Sequence, residues 1–343
     1  MNLLILTQKV DRNDGTLGFF HRWVEEFSYR FSKVIVVCIE KGESNLPPNV
    51  KILSLGKERE KKFRGLRRFF TRIFYVFRFY KFIWKERRNY DTVFVHMSQE
   101  FVLLGGIIWR LKNKKLLFWR NHAKGNFLTR LSVILSDKVF CTSPDSFTAR
   151  FKKTDLMPVG IDTEIFKPDE RISKKPNSIL YVGRISPVKK VELFIDSLNK
   201  LLATGSDFTA SIVGELSFGD PYVEEIRRKA KKLEEIGRLR FLGQQANFKM
   251  PEIYNNHKVL VNLTEAGSFD KTIFEAMSCG LATLVHNQAL DDVLGSDLIA
   301  QLDSSEIAEK LAKLLKSEER YDFRSFVVKD HSLTKLMEKF SRY

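Results

Sequence analysis

Short apolar runs alternate with amphipathic stretches from one end of this sequence to the other. In the first half, residues 3–6, 34–39, 50–55, 92–95, 116–119 and 138–141 read as buried strands, with helical periodicity over 18–31 and 100–111. The second half repeats the pattern. Strands are expected at 179–182, 208–213, 239–242, 259–263 and 281–285, and helices at about 189–203, 221–235 and 273–278. Strand-helix alternation of this kind builds parallel βαβ units. The expected architecture is α/β, as two doubly wound halves. Their seam falls near 158–176, which carries Pro158, Gly160, Pro168 and Pro176 and little periodicity. Such sheets bind ligands beyond the carboxyl ends of their strands. The loops after Leu6, Val95, Trp119, Val182, Val213 and Leu263 are therefore where chemistry is expected.

The 343 residues suffice for two domains of ordinary size. A formal charge of +16 suits polyanionic partners: phosphorylated substrates, an anionic membrane surface or nucleic acid. Cys38, Cys141 and Cys279 are far apart in apolar surroundings and lack metal-ligand spacing. They point away from a disulfide framework and toward a reducing, cytoplasmic compartment. The apolar amino-terminal run is too short for a signal peptide, and no run reaches the ~20 apolar residues that span a bilayer. The longest, 69–84, is interrupted by Arg72, Arg78 and Lys81. Membrane contact is expected to be peripheral, at the inner face.

Four constellations stand out. The first is YVGRISPVK, residues 181–189. A strand ends in Gly183-Arg184, and Lys189 follows at a helix start. This is an anion site built from Arg and Lys at a helix amino end, or a plain turn with two solvated cations. The second is EAGSFDKTIFEAMSCG, residues 265–280. Its small residues and helix start suit a phosphate, and Glu275 suits a ribose diol. The bland alternative is a helix capped by Ser268 or Asp270. The third is His122, in WRNHAKG after a strand end; His96, after Val95, is a weaker candidate. The fourth is segment 57–90, with 13 Lys/Arg against three Glu, no Asp, and 11 aromatics. Phe63, Leu66, Phe70, Phe74, Phe77 and Trp84 fall near one helical face, with Arg64, Arg68, Arg72 and Lys85 mostly elsewhere. Such a helix reads as membrane-surface binding, or as a domain helix whose aromatic stripe is core. Nucleic acid is disfavoured, because no nucleic-acid motif accompanies the charge.

Gly-Arg-x4-Lys, followed some ninety residues later by an E-A-M-x-x-G helix, resembles glycosyltransferase family 4. Pro158-Val-Gly160-Ile-Asp162 resembles that family's interdomain segment, Ile212-Val-Gly214-Glu its second carboxyl-domain strand, and Asp14-Gly15-Thr-Leu-Gly18 its glycine loop. The resemblance covers nearly the whole chain. It implies the GT-B fold, two Rossmann-like domains facing each other across a cleft. The expected divisions are 1–160 for the acceptor-side domain, 161–325 for the nucleotide-sugar-binding domain, and 326–343 for a terminal helix returning to the first domain.

The resemblance further implies a retaining glycosyltransferase of hexosyltransferase type, active in polysaccharide or glycolipid assembly. It uses a UDP- or GDP-type sugar as co-substrate, without a cofactor, and acts on a glycan or lipid-linked acceptor. Arg184 and Lys189 would neutralise the diphosphate, a role worth about 3–4 kcal/mol for each preorganised donor. The sequence has no D-x-D, so no metal site is expected. Glu275 would bind the ribose. Gly15, Gly183, Gly214, Ser268, Phe269, Asp270, Lys271 and Thr272 would line the donor, His122 would contact the reacting sugar, and His96 and Lys124 would lie on the acceptor side.

Two positions depart from the family pattern. Its E-x7-E motif would place a first acid at 267, which is Gly, and Glu265 comes two residues early; Asp270 is the substitute candidate. Lys190 stands where many members have Gly. The rival readings are a non-catalytic basic binding module on a GT-B-like scaffold, favoured by Gly267, and another GT-B enzyme such as a sugar-nucleotide epimerase.

Overall fold

The computed structural model of this chain describes residues 1–59, 66–217, 219–319 and 321–343, with the backbone alone over 66–70. Phe63 and Arg64, and the side chains of Leu66, Arg68 and Phe70, therefore lie outside the described residues. The chain divides into two compact units. One is Met1–Met157 with Met337–Tyr343, and the other is Pro158–Leu336.

The first unit runs β1 (Asn2–Val10), α1 (Gly18–Arg30), β2 (Lys33–Lys41), β3 (Val50–Ser54), α2 (Leu66–Lys85), β4 (Thr92–His96), α3 (Gln99–Leu111), β5 (Lys115–Trp119), α4 (Phe127–Leu135), β6 (Lys138–Cys141) and β7 (Thr154–Leu156). Its sheet is parallel, in the order β3-β2-β1-β4-β5-β6-β7. Leu3 to Leu6 are fully buried because helices cover both faces, so an interior strand reads as an unbroken apolar run. Successive β4 residues then serve opposite faces. Val93 and Val95 join the core under α2, α3 and α4, whereas Phe94 packs on Phe27 of α1 at 5.7 Å.

The second unit runs β8 (Ser178–Val182), α5 (Val191–Ala203), β9 (Thr209–Val213), α6 (Pro221–Glu235), β10 (Leu239–Gly243), α7 (Met250–Asn255), β11 (Val259–Asn262), α8 (Lys271–Ser278), β12 (Ala282–Val285), α9 (Asp291–Leu294), α10 (Ser304–Lys316), α11 (Arg324–Phe326) and α12 (Leu333–Phe340). Its parallel sheet has the order β10-β9-β8-β11-β12. The last residues of α12 count with the first unit. There Phe340 sits at 4.8 Å from Phe27, 4.9 Å from Phe94 and 5.8 Å from Phe140.

Among the described residues no helix is long and apolar enough to cross a membrane. All three cysteines are free and buried. Phe340 is 2% exposed and closes an aromatic cluster. Phe340→Ala is expected to cost about 3–5 kcal/mol, read by denaturant unfolding of the full chain.

Candidate active site

In the second sheet β8 pairs directly with β11. The chain leaves β8 toward β9 and β10, then returns to β8's other side as β11 and β12. Open parallel sheets bind ligands at such a switch in strand order, beyond the carboxyl ends of the two strands.

The loop after β8 is tightly built. Gly183 N–H donates to Val213 O, and Gly214 N–H to Gly243 O, each at 3.0 Å. A Cβ on Gly214 would stand 2.1 Å from the Gly183 carbonyl oxygen, so only glycine fits. The buried Tyr181 donates its hydroxyl to the Lys189 carbonyl and pins the turn Pro187–Lys189. Lys190 closes that turn at φ 55°, ψ 42°, the left-handed region glycine favours. Ser186 Oγ is enclosed and lacks a hydrogen-bond partner among the described residues. Arg184 is exposed and makes no ion pair with them.

The loop after β11 comes back to meet it. Gly267 has φ 117°, a conformation a glutamate would hold only under strain. The missing first acid and the path of the loop are thus one feature. Asp270 occupies the N-cap position of α8, but its carboxylate makes no capping bond. It contacts the Lys189 ammonium instead. Asn262 Nδ2 donates to Asp270 at 3.0 Å and to Thr272 Oγ1 at 3.1 Å, while Lys189 Nζ also reaches Thr264 Oγ1 at 3.1 Å. Burial alone would raise the Asp270 pKa. The Lys189 charge and the Asn262 hydrogen bond outweigh it and hold the carboxyl below its ordinary value. A second, looser pair joins Lys190 to Glu265 at 3.5 Å.

Farther along α8, Glu275 is buried and accepts from Tyr254 Oη at 2.8 Å and Asn247 Nδ2 at 3.2 Å. Burial pushes its carboxyl up and pushes the ammonium of Lys271, one turn earlier, down. Lys271 donates to the carbonyls of Val159 and Gly160. Phe269 packs on Phe274 at 5.3 Å, and the Ser268 carbonyl accepts from Asn287. His331 faces the same segment. Its Nδ1 accepts from Val159 N–H at 3.3 Å, and its ring lies 4.6 Å from Phe274 and 4.9 Å from Phe326.

The second unit thus gathers Gly183, Arg184, Lys189, Gly214, Ser268, Phe269, Asp270, Lys271, Thr272 and Glu275. Gly15, His96, His122 and Lys124 belong to the first unit. His122 is exposed, and its Nδ1 accepts from Lys124 N–H at 2.9 Å. Gly15 lies in an exposed turn whose neighbour Asp14 accepts from Thr16 and Leu17 N–H. The His96 ring is buried, stacked on Phe20 at 4.1 Å with Nδ1 3.3 Å from Thr7 Oγ1.

Sequence reasoning did not name Asn262, Thr264, Tyr254 or His331. Only Asn262 carried a signal, as a polar residue closing an apolar strand at its carboxyl end. Among the described residues no group of three or more His, Cys, Asp or Glu could hold a metal ion.

Residues 162–325 match the family described as Glycosyl transferases group 1. Over 198 residues the chain is 28% identical to the "Probable sucrose-phosphate synthase" of Thermosipho melanesiensis, covering 55% of this chain and 44% of that protein. Over 212 residues it is 26% identical to the lipopolysaccharide 1,2-N-acetylglucosaminetransferase of Salmonella typhimurium, covering 54% of each. The chain therefore spans about half the length of these curated relatives. Among solved structures it resembles Anabaena HepE, crystallised in complex with UDP, with a TM-score of 0.73, 18% identity, and coverage of 100% and 99%. It also resembles WaaG, a glycosyltransferase involved in lipopolysaccharide biosynthesis, with a TM-score of 0.67, 15% identity, and coverage of 99% and 98%. The fold is GT-B, with two Rossmann-like domains.

Burial lowers the His331 pKa to about 4 from 6.5. A depressed histidine means the unfolded chain binds the proton first as pH falls. Its contribution is complete above about pH 6.5 and is lost as pH drops toward about 4. Wild type is expected to lose up to about 3 kcal/mol more across that window than His331→Asn, in denaturant unfolding at a series of pH values.

Proposed function

Residues 162–325 being a glycosyl transferases group 1 domain, we propose that the chain transfers a sugar from a nucleotide-diphosphate donor to a glycan or lipid-linked acceptor. The observation that carries this reading is the meeting of Lys189, five residues after Arg184, with Asp270 at the amino end of α8, beside the paired strands β8 and β11. Cations beside the positive end of a helix suit a diphosphate, both when bound and as a leaving group. Glu275 suits the ribose hydroxyls. Asp270, kept as a carboxylate, suits a hydroxyl of the donor sugar and stands in for the acid absent at 267.

With Arg184 and Lys189 as the counter-charge, the reaction proceeds without a metal. The sugar C1–O bond to the diphosphate breaks, the acceptor oxygen bonds C1 on the same face, and the acceptor proton passes to a phosphate oxygen. Retention follows from that front-face geometry. His122 is the group for the reacting sugar, with Lys124 and His96 on the acceptor side. Of these, the burial of His96 leaves it the poorest placed for direct contact. The basic segment 57–90 fits an anionic membrane surface, the inner face, where a lipid-linked acceptor would be met. Glycine in place of an acid at 267 favours a second reading, donor binding without transfer, which turnover of a nucleotide sugar separates from the first.

Arg184→Ala is expected to lower turnover at least tenfold with an unchanged melting temperature, because the side chain is exposed. Lys189→Ala is expected to lower both, since it strands the half-buried Asp270 carboxylate at a cost of about 1–3 kcal/mol. Lys189→Met combined with Asp270→Asn should recover stability but not turnover. Stabilisation by UDP or GDP in a thermal-shift assay should weaken in every one of these variants. Near-normal turnover and nucleotide stabilisation in Arg184→Ala and the double variant would remove the diphosphate assignment.

A further inference from the structure

Helix α2 is apolar on two opposite sides. Phe79 and Ile83 are buried in the core over the first sheet. On the other side Ile73, Phe77, Tyr80 and Trp84 form a stripe at helical spacing, and all four are exposed, Phe77 by 67% and Trp84 by 55%. A helix apolar all round is normally covered all round. The aromatic residues the sequence grouped on one face, Phe74, Phe77 and Trp84, are thus the exposed ones and not the core.

The same holds for its two neighbours. The inner sides of α3 and α4 enter the same core through Phe101, Trp109 and Val133. Their outer sides expose Ile107 and Leu111 on α3, the latter by 80%, and Phe127 and Ile134 on α4. The three helices are knit edge to edge. Tyr80 Oη donates to Leu104 O at 3.0 Å, and Thr129 Oγ1 to Gln99 Oε1 at 2.8 Å. They cover one face of one sheet, so their outer sides share one direction.

We infer that the outer faces of α2, α3 and α4 together form a docking surface for an anionic lipid bilayer. The charge on that surface selects the occupant. Over residues 71–90, 99–115 and 127–135 the sequence has eleven Lys/Arg and two acids. Glu86 is buried and bonded to Lys51, and Glu100 is exposed in the first turn of α3. Trp84 lies between two cations, Arg87 at 4.8 Å and Lys112 at 4.9 Å. Aromatic rings ringed by Lys and Arg sit at the headgroup boundary, with the rings toward the acyl chains and the cations on the phosphates. A second copy of this chain would bring the same cations face to face, which opposes self-association through this face. The inference rests on reading 57–90 as a lipid-binding segment and extends it to α3 and α4; it does not depend on the transfer reaction.

The test is co-sedimentation of the full chain with phosphatidylcholine vesicles, with and without about one-third phosphatidylglycerol. Phe77→Glu, Trp84→Glu, Leu111→Glu and Ile134→Glu are compared, each at an exposed position and each checked for an unchanged melting temperature and nucleotide thermal shift. Expected are binding only with phosphatidylglycerol, weakening as salt rises from about 0.1 to about 0.5 M, and a loss of at least tenfold for the α2 variants. Leu111→Glu and Ile134→Glu should each lose at least threefold. If these two bind like wild type while the α2 variants fail, the three-helix surface is overturned and the segment reading survives. Equal binding to both vesicle types, no binding to either, or a self-association that Phe77→Glu abolishes, overturns both.

Discussion

The pairing of β8 with β11 is the constraint on which the second unit's chemistry depends. Consecutive strands usually lie side by side, yet β11 passes over β9 and β10 to reach β8. That return brings the loop ending in Lys189 against the loop ending in Asp270, 81 residues later. Several other contacts in the candidate site gather around this meeting. Asn262 closes β11 and bridges Asp270 and Thr272, Thr264 supports Lys189, and Gly214 lets the neighbouring strand end approach the Gly183 carbonyl.

The meeting is electrostatically balanced before any donor arrives. Lys189 already has a carboxylate, whereas Arg184 stands open to solvent. A diphosphate entering the site would add two charges to a nearly neutral pair beside one unpaired guanidinium. The Lys189–Asp270 pair leaves no bare buried cation here, a state that would itself be costly. Backbone geometry serves the same end. Gly267 and Lys190 take left-handed conformations at the two loops that carry these charges, one with the residue suited to it and one without.

The first unit shows a different balance. Its helices bury enough apolar surface on the sheet side to form a core and still present apolar residues outward. Exposed apolar area of this extent, bordered by cations and almost free of acids, is what the inferred docking surface rests on. It also explains where much of the +16 charge is spent.

How much of this could be read in the sequence depended on how local the cause was. Interior parallel strands such as β1 and β8 were legible because both faces are buried and the run is uniformly apolar. β7, three residues at the sheet edge, was not, because Thr154-Asp155-Leu156 has no such pattern. Arg184, Lys189 and Glu275 were legible as types at strand and helix ends, but the partner of Lys189 was not. The direction of the α2 stripe was open to either side, and the side that Phe79 and Ile83 occupy decided it. By itself the sequence determined the order of strands and helices and which residues stand at the carboxyl ends, since these follow from short-range periodicity. Only the tertiary structure decided that Asp270 meets Lys189, that His96 is walled in by Phe20, and that three helices share an uncovered face. Those outcomes follow from strand order and packing between residues far apart in the chain, which no local pattern encodes.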